Sequence, residues 1–472
     1  MGRRGARIHP PLRGTDLISR FVAFTRERLA REVALLQVSN TFQKGYGAVY
    51  NVLTFRLLGE TGYGEFRMTL ALYNTVNLLG SLGLGQFLVV PLAQAAAAGD
   101  REEVARACGY NLKLSFLISA AVLGLSLVAG PVIGRMVYDS DLGASLGHLM
   151  RIVALGAVPS VVYTLTTSSL QSVRRMKALA VVENVDGILF RAIGILALVL
   201  GQRVPGLLWG VAIGGALSST HALYHYRRVL VREHGFPDLP ALARAAWRVP
   251  FGHYFRFSAL SVADKNIAQF FGQTPLLYLG RWAGPEQAAY YDVAAKLFGL
   301  LSAFHGAVSR ALGVRLAQVY GQRGVGETRR LFWRTLALWG GLSTIGAALF
   351  ACLLPVFRWV YTPQALPSLT LVALWAVLTA KQGFTVTLGS IYLILDRVAV
   401  NVAVKIPLLL GAMPVGAWLV QTWSRTLPDP AAGAVAATAY LLGAFLLGDL
   451  IYFGLLAAPS FWRERRRVVE AA

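Results

Sequence analysis

Charged side chains set in long apolar stretches are the first chemistry this sequence offers. Lys44, Arg191, Lys265, Lys296, Lys381 and Lys405 stand inside hydrophobic runs, as do Glu183, Asp186, Asp264, Asp292 and Asp449. In a bilayer a charge at mid-depth costs roughly 2.5–3.5 kcal/mol on insertion scales, so each one wants a reason. Asp292 and Lys296 lie four residues apart on one helix face and can pair locally. The other five cations have no acid three or four residues away, and facing lipid they would together cost on the order of 12–17 kcal/mol, more than a typical folding stability. They must face a hydrated cavity or acids on other helices, Arg191 with Asp186 for example, while Lys405 could snorkel to the nearer surface. Acids are too few to neutralise them all. The expectation is a cationic cavity for an anionic substrate, held by Lys44, Lys265, Arg191, Lys381 and Lys405. Asp292 with Lys296 is then the pair that could trade its partner for a coupling ion.

Other polar positions say less. His305 is expected to hydrogen-bond between helices. Tyr290, Tyr291, Asn74 and Asn77 could touch sugar hydroxyls or join helices, and Pro159, Pro275 and Pro407 read as kinks. No soluble-enzyme constellation is present: no glycine-rich phosphate loop followed by Lys-Ser/Thr, no H-E-x-x-H, no cysteine pair at metal spacing. No metal or cofactor is therefore expected, and Cys108 and Cys352, the only cysteines, are expected on opposite sides of a membrane.

The elements that must position these charges follow from composition. The chain has 472 residues, 56% hydrophobic and only 14% charged, against about 25% charged in a soluble domain. Spans of about 20 residues are expected at about 34–58, 68–92, 110–137, 146–170, 178–201 and 206–226, then at about 252–280, 287–312, 331–360, 366–394, 398–420 and 431–457. The fold class is therefore an all-α polytopic membrane protein of about twelve helices. The net charge of +22 would suggest nucleic acid in a soluble chain. Here the positive-inside rule accounts for it: about 31 of the 45 basic residues fall in one set of loops and about 8, Arg67 among them, in the other. Both termini are expected to be cytosolic, with no cleavable signal. The domains expected are a basic amphipathic segment (1–33), either lying on anionic lipid or serving only as a basic topogenic flank, an N-lobe (34–226), a cytosolic linker (227–251), a C-lobe (252–457) and a basic tail (458–472). Leu239, Leu242 and Trp247 of the linker could dip into the interface.

An internal repeat supports the two lobes. Leu92-Ala93-Gln94 with Glu103 and Arg106 matches Leu316-Ala317-Gln318 with Glu327 and Arg330, both L-A-Q-x8-E-x2-R at an offset of 224. Leu58-Gly59 matches Leu279-Gly280 at 221. Six intervening spans give the copies the same orientation, a parallel repeat about the membrane normal, as in transporters with a site between halves.

The stretch Arg56-Leu57-Leu58-Gly59-Glu60-Thr61-Gly62-Tyr63-Gly64-Glu65-Phe66, then Leu79-Gly80-Ser81-Leu82-Gly83-Leu84-Gly85 and the Leu92-Ala93-Gln94 loop, resembles the lipid-linked oligosaccharide (O-antigen and exopolysaccharide) flippases of the multidrug/oligosaccharidyl-lipid/polysaccharide exporter superfamily. The resemblance implies a V-shaped, alternating-access bundle in the bacterial inner membrane. Its implied cargo is an undecaprenyl-pyrophosphate-linked glycan, and its implied partners include polysaccharide polymerase or assembly proteins. A multidrug or cation antiporter shares the architecture but favours an acidic lumen. A peptidoglycan-precursor flippase would have two further helices, and a membrane glycan polymerase, which would be an enzyme, a large outer loop. Applying the 221 offset to Lys44 gives Lys265, so the two lysines are expected at equal depth, bracketing a pyrophosphate.

Overall fold

In the computed structural model the described residues are 28–80 and 92–462, apart from 94, 97, 139–140, 251, 387 and 396, with side chains described outside 28–37, 79–80, 252–265, 268, most of 302–323, 389–390, 393 and 398. Most of the expected amphipathic segment and the basic tail lie outside them, as do the side chains of Asp264 and Lys265. Every regular element among the described residues is helical. The apolar runs give long helices joined by short turns, because a backbone in lipid must satisfy its hydrogen bonds within its own segment.

In the first half, helix Arg28–Gly80 bends at Gly59 (φ 71°, ψ −176°) into α1 (28–58) and α2 (60–80). Then come α3 (Arg101–Tyr138), α4 (Asp141–Ala154) and α5 (Ser160–Ser172), with Pro159 at the break, α6 (Met176–Val199) and α7 (Arg203–His225). A short helix, α8 (Leu239–Arg248), lies in the linker. In the second half α9 (Gly252–Trp282) precedes helix Pro285–Cys352, which bends at Gly324 (φ 74°, ψ −171°) into α10 (285–323) and α11 (325–352). The rest is α12 (Leu354–Val360), α13 (Leu369–Thr385), α14 (Leu388–Ile394), α15 (Val398–Thr426) and α16 (Ala432–Ala457). Pro275 and Pro407 are carried inside α9 and α15 without ending them.

Among the described residues four helices meet a membrane-span criterion of length and hydropathy unaided: α3, α11, α15 and α16. The charge-bearing α6, and α1 over its described residues, do not. Both line the cavity described below, where polar side chains have a use.

The repeat is visible in the backbone. The turn glycines Gly59 and Gly284 both have positive φ, as do Gly99 and Gly324, and each pair lies 225 residues apart. Only glycine adopts such angles without strain. Leu92 and Leu316 are both fully buried, within helix rather than in the loops expected from sequence. Glu103–Arg106 (3.4 Å) and Glu327–Arg330 (2.7 Å) form the same ion pair one helical turn apart. The halves are thus parallel repeats, and their register at the turns is 225, one helical turn away from the 221 of the Leu-Gly match.

Candidate functional site

The lobes meet closely at the end of the bundle marked by Gly59 and Gly284. A Cβ on Gly64 would run into the Pro285 carbonyl, and one on Gly280 into the Tyr138 ring. Only glycine allows the backbones to approach this far. Polar bonds tie the lobes together at the same end. Arg56 donates to the carbonyls of Trp359 (2.9 Å) and Tyr361 (3.1 Å), at the C-terminal end of α12, where carbonyls lack helical partners. The Thr61 hydroxyl donates to Glu286 (3.2 Å), Arg281 to the Met136 carbonyl (2.9 Å), and the Tyr290 hydroxyl to Glu60.

Beneath this clasp Asp292 accepts from both Arg67 (Nη2–Oδ1, 2.8 Å) and the Tyr63 hydroxyl (2.7 Å). Its side chain is 4% exposed against 18% for Arg67. Sequence reasoning paired Asp292 with Lys296 on its own helix; the structure pairs it across the lobes instead. Arg67 was also expected in an outer loop, whereas it lies eight residues inside α2 from the Gly59 bend, roughly 12 Å in. The only sequence signal for it was positional. Counted from the turn glycines, Arg67 and Asp292 occupy equivalent places, each eight residues on.

Below the pair a cavity of about 820 Å³ runs between α1 and α10, with α2, α6 and the α12 end completing its wall. Four cations line it: Lys44, Arg67, Arg191 and Lys296. No carboxylate is among the described lining residues; the remaining polar lining includes Asn40, Gln43 and Asn51, and the aromatic lining Tyr50, Phe66 and Phe190. Arg191 is held by the Gly187 carbonyl (2.7 Å) and stands over the Phe190 and Tyr46 rings (4.5 and 4.8 Å to the centroids). Its closest partners are thus a carbonyl and aromatic rings, and Asp186, the partner sequence reasoning suggested, acts on it electrostatically without a close ion pair among the described contacts. Lys44 reaches the Gly299 carbonyl of the other lobe at 3.5 Å, a long, weak contact. Gln43 Nε2, the Tyr50 hydroxyl and Arg67 Nε are buried polar atoms without a protein hydrogen-bond partner. A site with unspent donors and several cations can take an anion with little rearrangement.

Of the residues expected to bind substrate, Lys44 and Arg191 are at the cavity, and Lys296 from the expected coupling pair joins them. Lys381 is not there. It pairs with Asp449 at 2.7 Å and stands 4.7 Å from the Phe445 ring centroid, linking α13 to α16 within the second lobe. Lys405 is on α15, outside the cavity lining. Lys265 is on α9, its side chain outside the described residues. Lys44 precedes its turn glycine by 15 residues and Lys265 by 19. The expected equal depth is thus replaced by an offset of one turn, roughly 6 Å. Tyr291 packs on Trp375 (5.4 Å between centroids), and His305 meets Ser343 at 2.8 Å between α10 and α11, the helix-joining role expected of it.

Comparison with solved structures finds the same fold. An inward-facing multidrug resistance MATE family transporter of the MOP superfamily is 14% identical, with 87% of this chain and 96% of that one covered and a TM-score of 0.65. A eukaryotic MATE transporter, AtDTX14, gives 14%, 89%, 96% and 0.63. A MOP superfamily transporter from Pyrococcus furiosus, described as having a binding pocket of reverse polarity that suggests a different function, gives 15%, 93%, 99% and 0.59. No curated protein matches by sequence. Residues 29–313 match the family described as polysaccharide biosynthesis protein, and with most of its length so matched and its two lobes folded as a MOP transporter, the chain belongs to that family.

Proposed function

We propose that this protein is a flippase that moves a polyprenyl-pyrophosphate-linked oligosaccharide across the bacterial inner membrane by alternating access. The observation that carries this is the charge of the inter-lobe cavity: four cations and no carboxylate among the described lining residues, with Asp292 buried behind Arg67 and Asp186 within electrostatic reach of Arg191 but outside the lining. A pyrophosphate diester brings about two negative charges, and at 4 Å each favourable pair is worth about 1 kcal/mol even at the dielectric of water. Polar and aromatic lining beside the cations suits sugar rings. The clasped Gly59/Gly284 end is the periplasmic one on the positive-inside count, which leaves both termini and the linker in the cytosol.

A multidrug or cation antiporter is the competing reading, since several fold neighbours are MATE transporters, one of them for multidrug resistance. The cavity charge opposes it, since a cationic cargo would meet four like charges. The fold neighbour described with reverse pocket polarity supports letting the pocket, rather than the fold, decide the cargo.

The test is reconstitution into vesicles carrying a fluorescent polyprenyl-pyrophosphate saccharide on one leaflet, read by the fraction that becomes accessible on the other. Transfer by the native protein, lost in Arg191→Ala and Lys44→Ala, is expected. Wild-type rates in Lys44→Ala/Arg191→Ala vesicles, or uptake of a cationic dye in place of the saccharide, would overturn the assignment.

A further inference from the structure

The linker helix α8 and the first turns of α3 enclose a second hollow of about 550 Å³, on the outside of the first lobe and away from the inter-lobe cavity. Its floor is small: Ala105, Ala241 and Ala245. Arg106, Arg244 and Arg248 supply its cations, and Glu102, 3.5 Å from Arg106, its one carboxylate among the described lining residues. Arg106 spends both terminal nitrogens on Glu102 and Glu103, yet its Nε is buried and has no hydrogen-bond partner. The Arg106 side chain is 42% exposed, so its guanidinium and those of two further arginines stand together at the hollow, an arrangement suited to an oxyanion acceptor.

The helix that carries two of these arginines is firmly seated. Asp238 caps it by accepting from the Ala241 amide (2.9 Å), Leu242 is fully buried, and Lys113 donates to the Val249 carbonyl (3.1 Å) at its other end. A Cβ on Gly109 would meet the Ala245–Ala246 backbone, so α8 lies directly on α3. Its other face carries Trp247, 89% exposed. An indole left this open on a helix otherwise made mainly of alanine, leucine and arginine is placed for a membrane–water interface, where its ring is amphipathic. The depth agrees. The apolar run of α3 begins at Leu114, just after Lys113, so Arg106 stands eight residues above it, about 12 Å in helical rise. That is headgroup level.

We infer that the hollow between α8 and α3 is a binding site for the phosphate of an anionic phospholipid, with Arg106, Arg244 and Arg248 as its ligands and Trp247 as the anchor that sets α8 in the same leaflet. The chemistry recognised is a phosphate oxyanion, and its source is the lipid rather than the solvent. The three arginines hold the headgroup while the acyl chains remain beside the apolar run of α3.

The full-length protein in nanodiscs tests this, with phosphatidylglycerol in phosphatidylcholine in one arm, and the same lipid mixture with inorganic phosphate added in the other. Native mass spectrometry after release reads the retained phosphatidylglycerol. Basic residues near a charged leaflet are worth about fivefold each in binding, so Arg244→Gln and Arg248→Gln should each lower retention about fivefold and together about 25-fold. Both side chains are exposed, so folding is not at stake. Brominated phosphatidylglycerol should also quench a component of tryptophan emission that Trp247→Phe removes. Unchanged retention in the double variant, or inorganic phosphate displacing the lipid, would overturn the lipid site, as would equal quenching in Trp247→Phe.

Discussion

Asp292→Asn should loosen the clasped end of the bundle, by an amount set by the burial of the pair it breaks. Asp292 receives two charge-assisted or hydroxyl bonds, from Arg67 at 2.8 Å and Tyr63 at 2.7 Å, and its side chain is 4% exposed. Removing one member of a fully buried pair costs about 3–5 kcal/mol. Arg67 is 18% exposed and reached from the cavity, so the uncompensated guanidinium recovers part of its hydration. A hydrogen bond to a charged group, about 1.5–3 kcal/mol, is the better estimate. Because the pair spans the lobes, that energy falls on the closed state alone and shifts the closed–open equilibrium roughly 10- to 150-fold toward open. The assay replaces Thr61 and Glu286, whose side chains meet across the lobes at 3.2 Å, by cysteines in a Cys108→Ser/Cys352→Ser background and follows their joining by a short bismaleimide. The rate should fall in Asp292→Asn. It should return in Arg67→Asp/Asp292→Arg, because both residues stand eight positions after their turn glycines and face each other across the repeat axis. Tyr63, one helical turn before position 67, remains a donor for the transplanted carboxylate. Wild-type joining in Asp292→Asn, or a swap no better than the single variant, would refute the account.

Other expectations follow from the same contacts. Gly64→Ala should weaken closure in the same joining assay, since its methyl meets the Pro285 carbonyl. Lys381→Ala should lower thermal stability in detergent by leaving Asp449 with a buried charge, and Lys381→Met/Asp449→Leu should recover most of it, because an apolar pair replaces a buried ion pair at little cost. Transport by that double variant should survive, as the pair lies outside the inter-lobe cavity. Lys44→Glu should impair saccharide transfer more than Lys44→Ala, through repulsion of the anion, whereas a lysine that merely snorkels would tolerate Gln. In vesicles with and without an imposed proton or sodium gradient, Asp292→Asn should remove any gradient dependence of transfer; its persistence would separate the latch from coupling.

Much of the fold was legible because spans follow directly from apolar run length. The end of α1 and the extent of α16 agree with the expected spans to within a residue or two. The repeat was legible at Glu103–Arg106 and Glu327–Arg330 because an ion pair one helical turn apart is a local spacing. Partners on different helices leave no such spacing, and this is where the reading failed. Lys381 finds Asp449, 68 residues away, and Arg67 finds Asp292, 225 away. Arg67 was misplaced for a second reason. The region between Gly59 and the apolar run holds glycines, Glu60, Glu65 and Arg67, and hydropathy reads it as loop although it is the first two turns of a helix. The Leu-Gly match misled the repeat register by one turn, since short identical pairs recur in Leu/Gly-rich sequence. Turn geometry, set by Gly59 and Gly284, corrects it.

That register carries a consequence for how an anion would cross. Three of the four cavity cations, Lys44, Arg67 and Arg191, belong to the first lobe, and the second contributes Lys296 together with Asp292. When the lobes part at the Gly59/Gly284 end, Arg67 leaves Asp292 and keeps its place eight residues from the turn, the cavity cation nearest to the opening by chain position. The acid that neutralised it goes with the other lobe. On the proposed function, opening therefore adds a free cation on the exit side while Lys296 withdraws with the second lobe, so the anion stays with the first lobe as access changes sides. An arrangement with the acid on the first lobe would carry the neutralising charge along and remove that asymmetry. The swapped variant Arg67→Asp/Asp292→Arg makes this distinction measurable: it should close like the native protein in the joining assay, yet transfer saccharide slowly, because its exit-side cation now moves with the second lobe. Native transfer by the swapped protein would show that the latch needs only a complementary pair and that the side of the charge is immaterial.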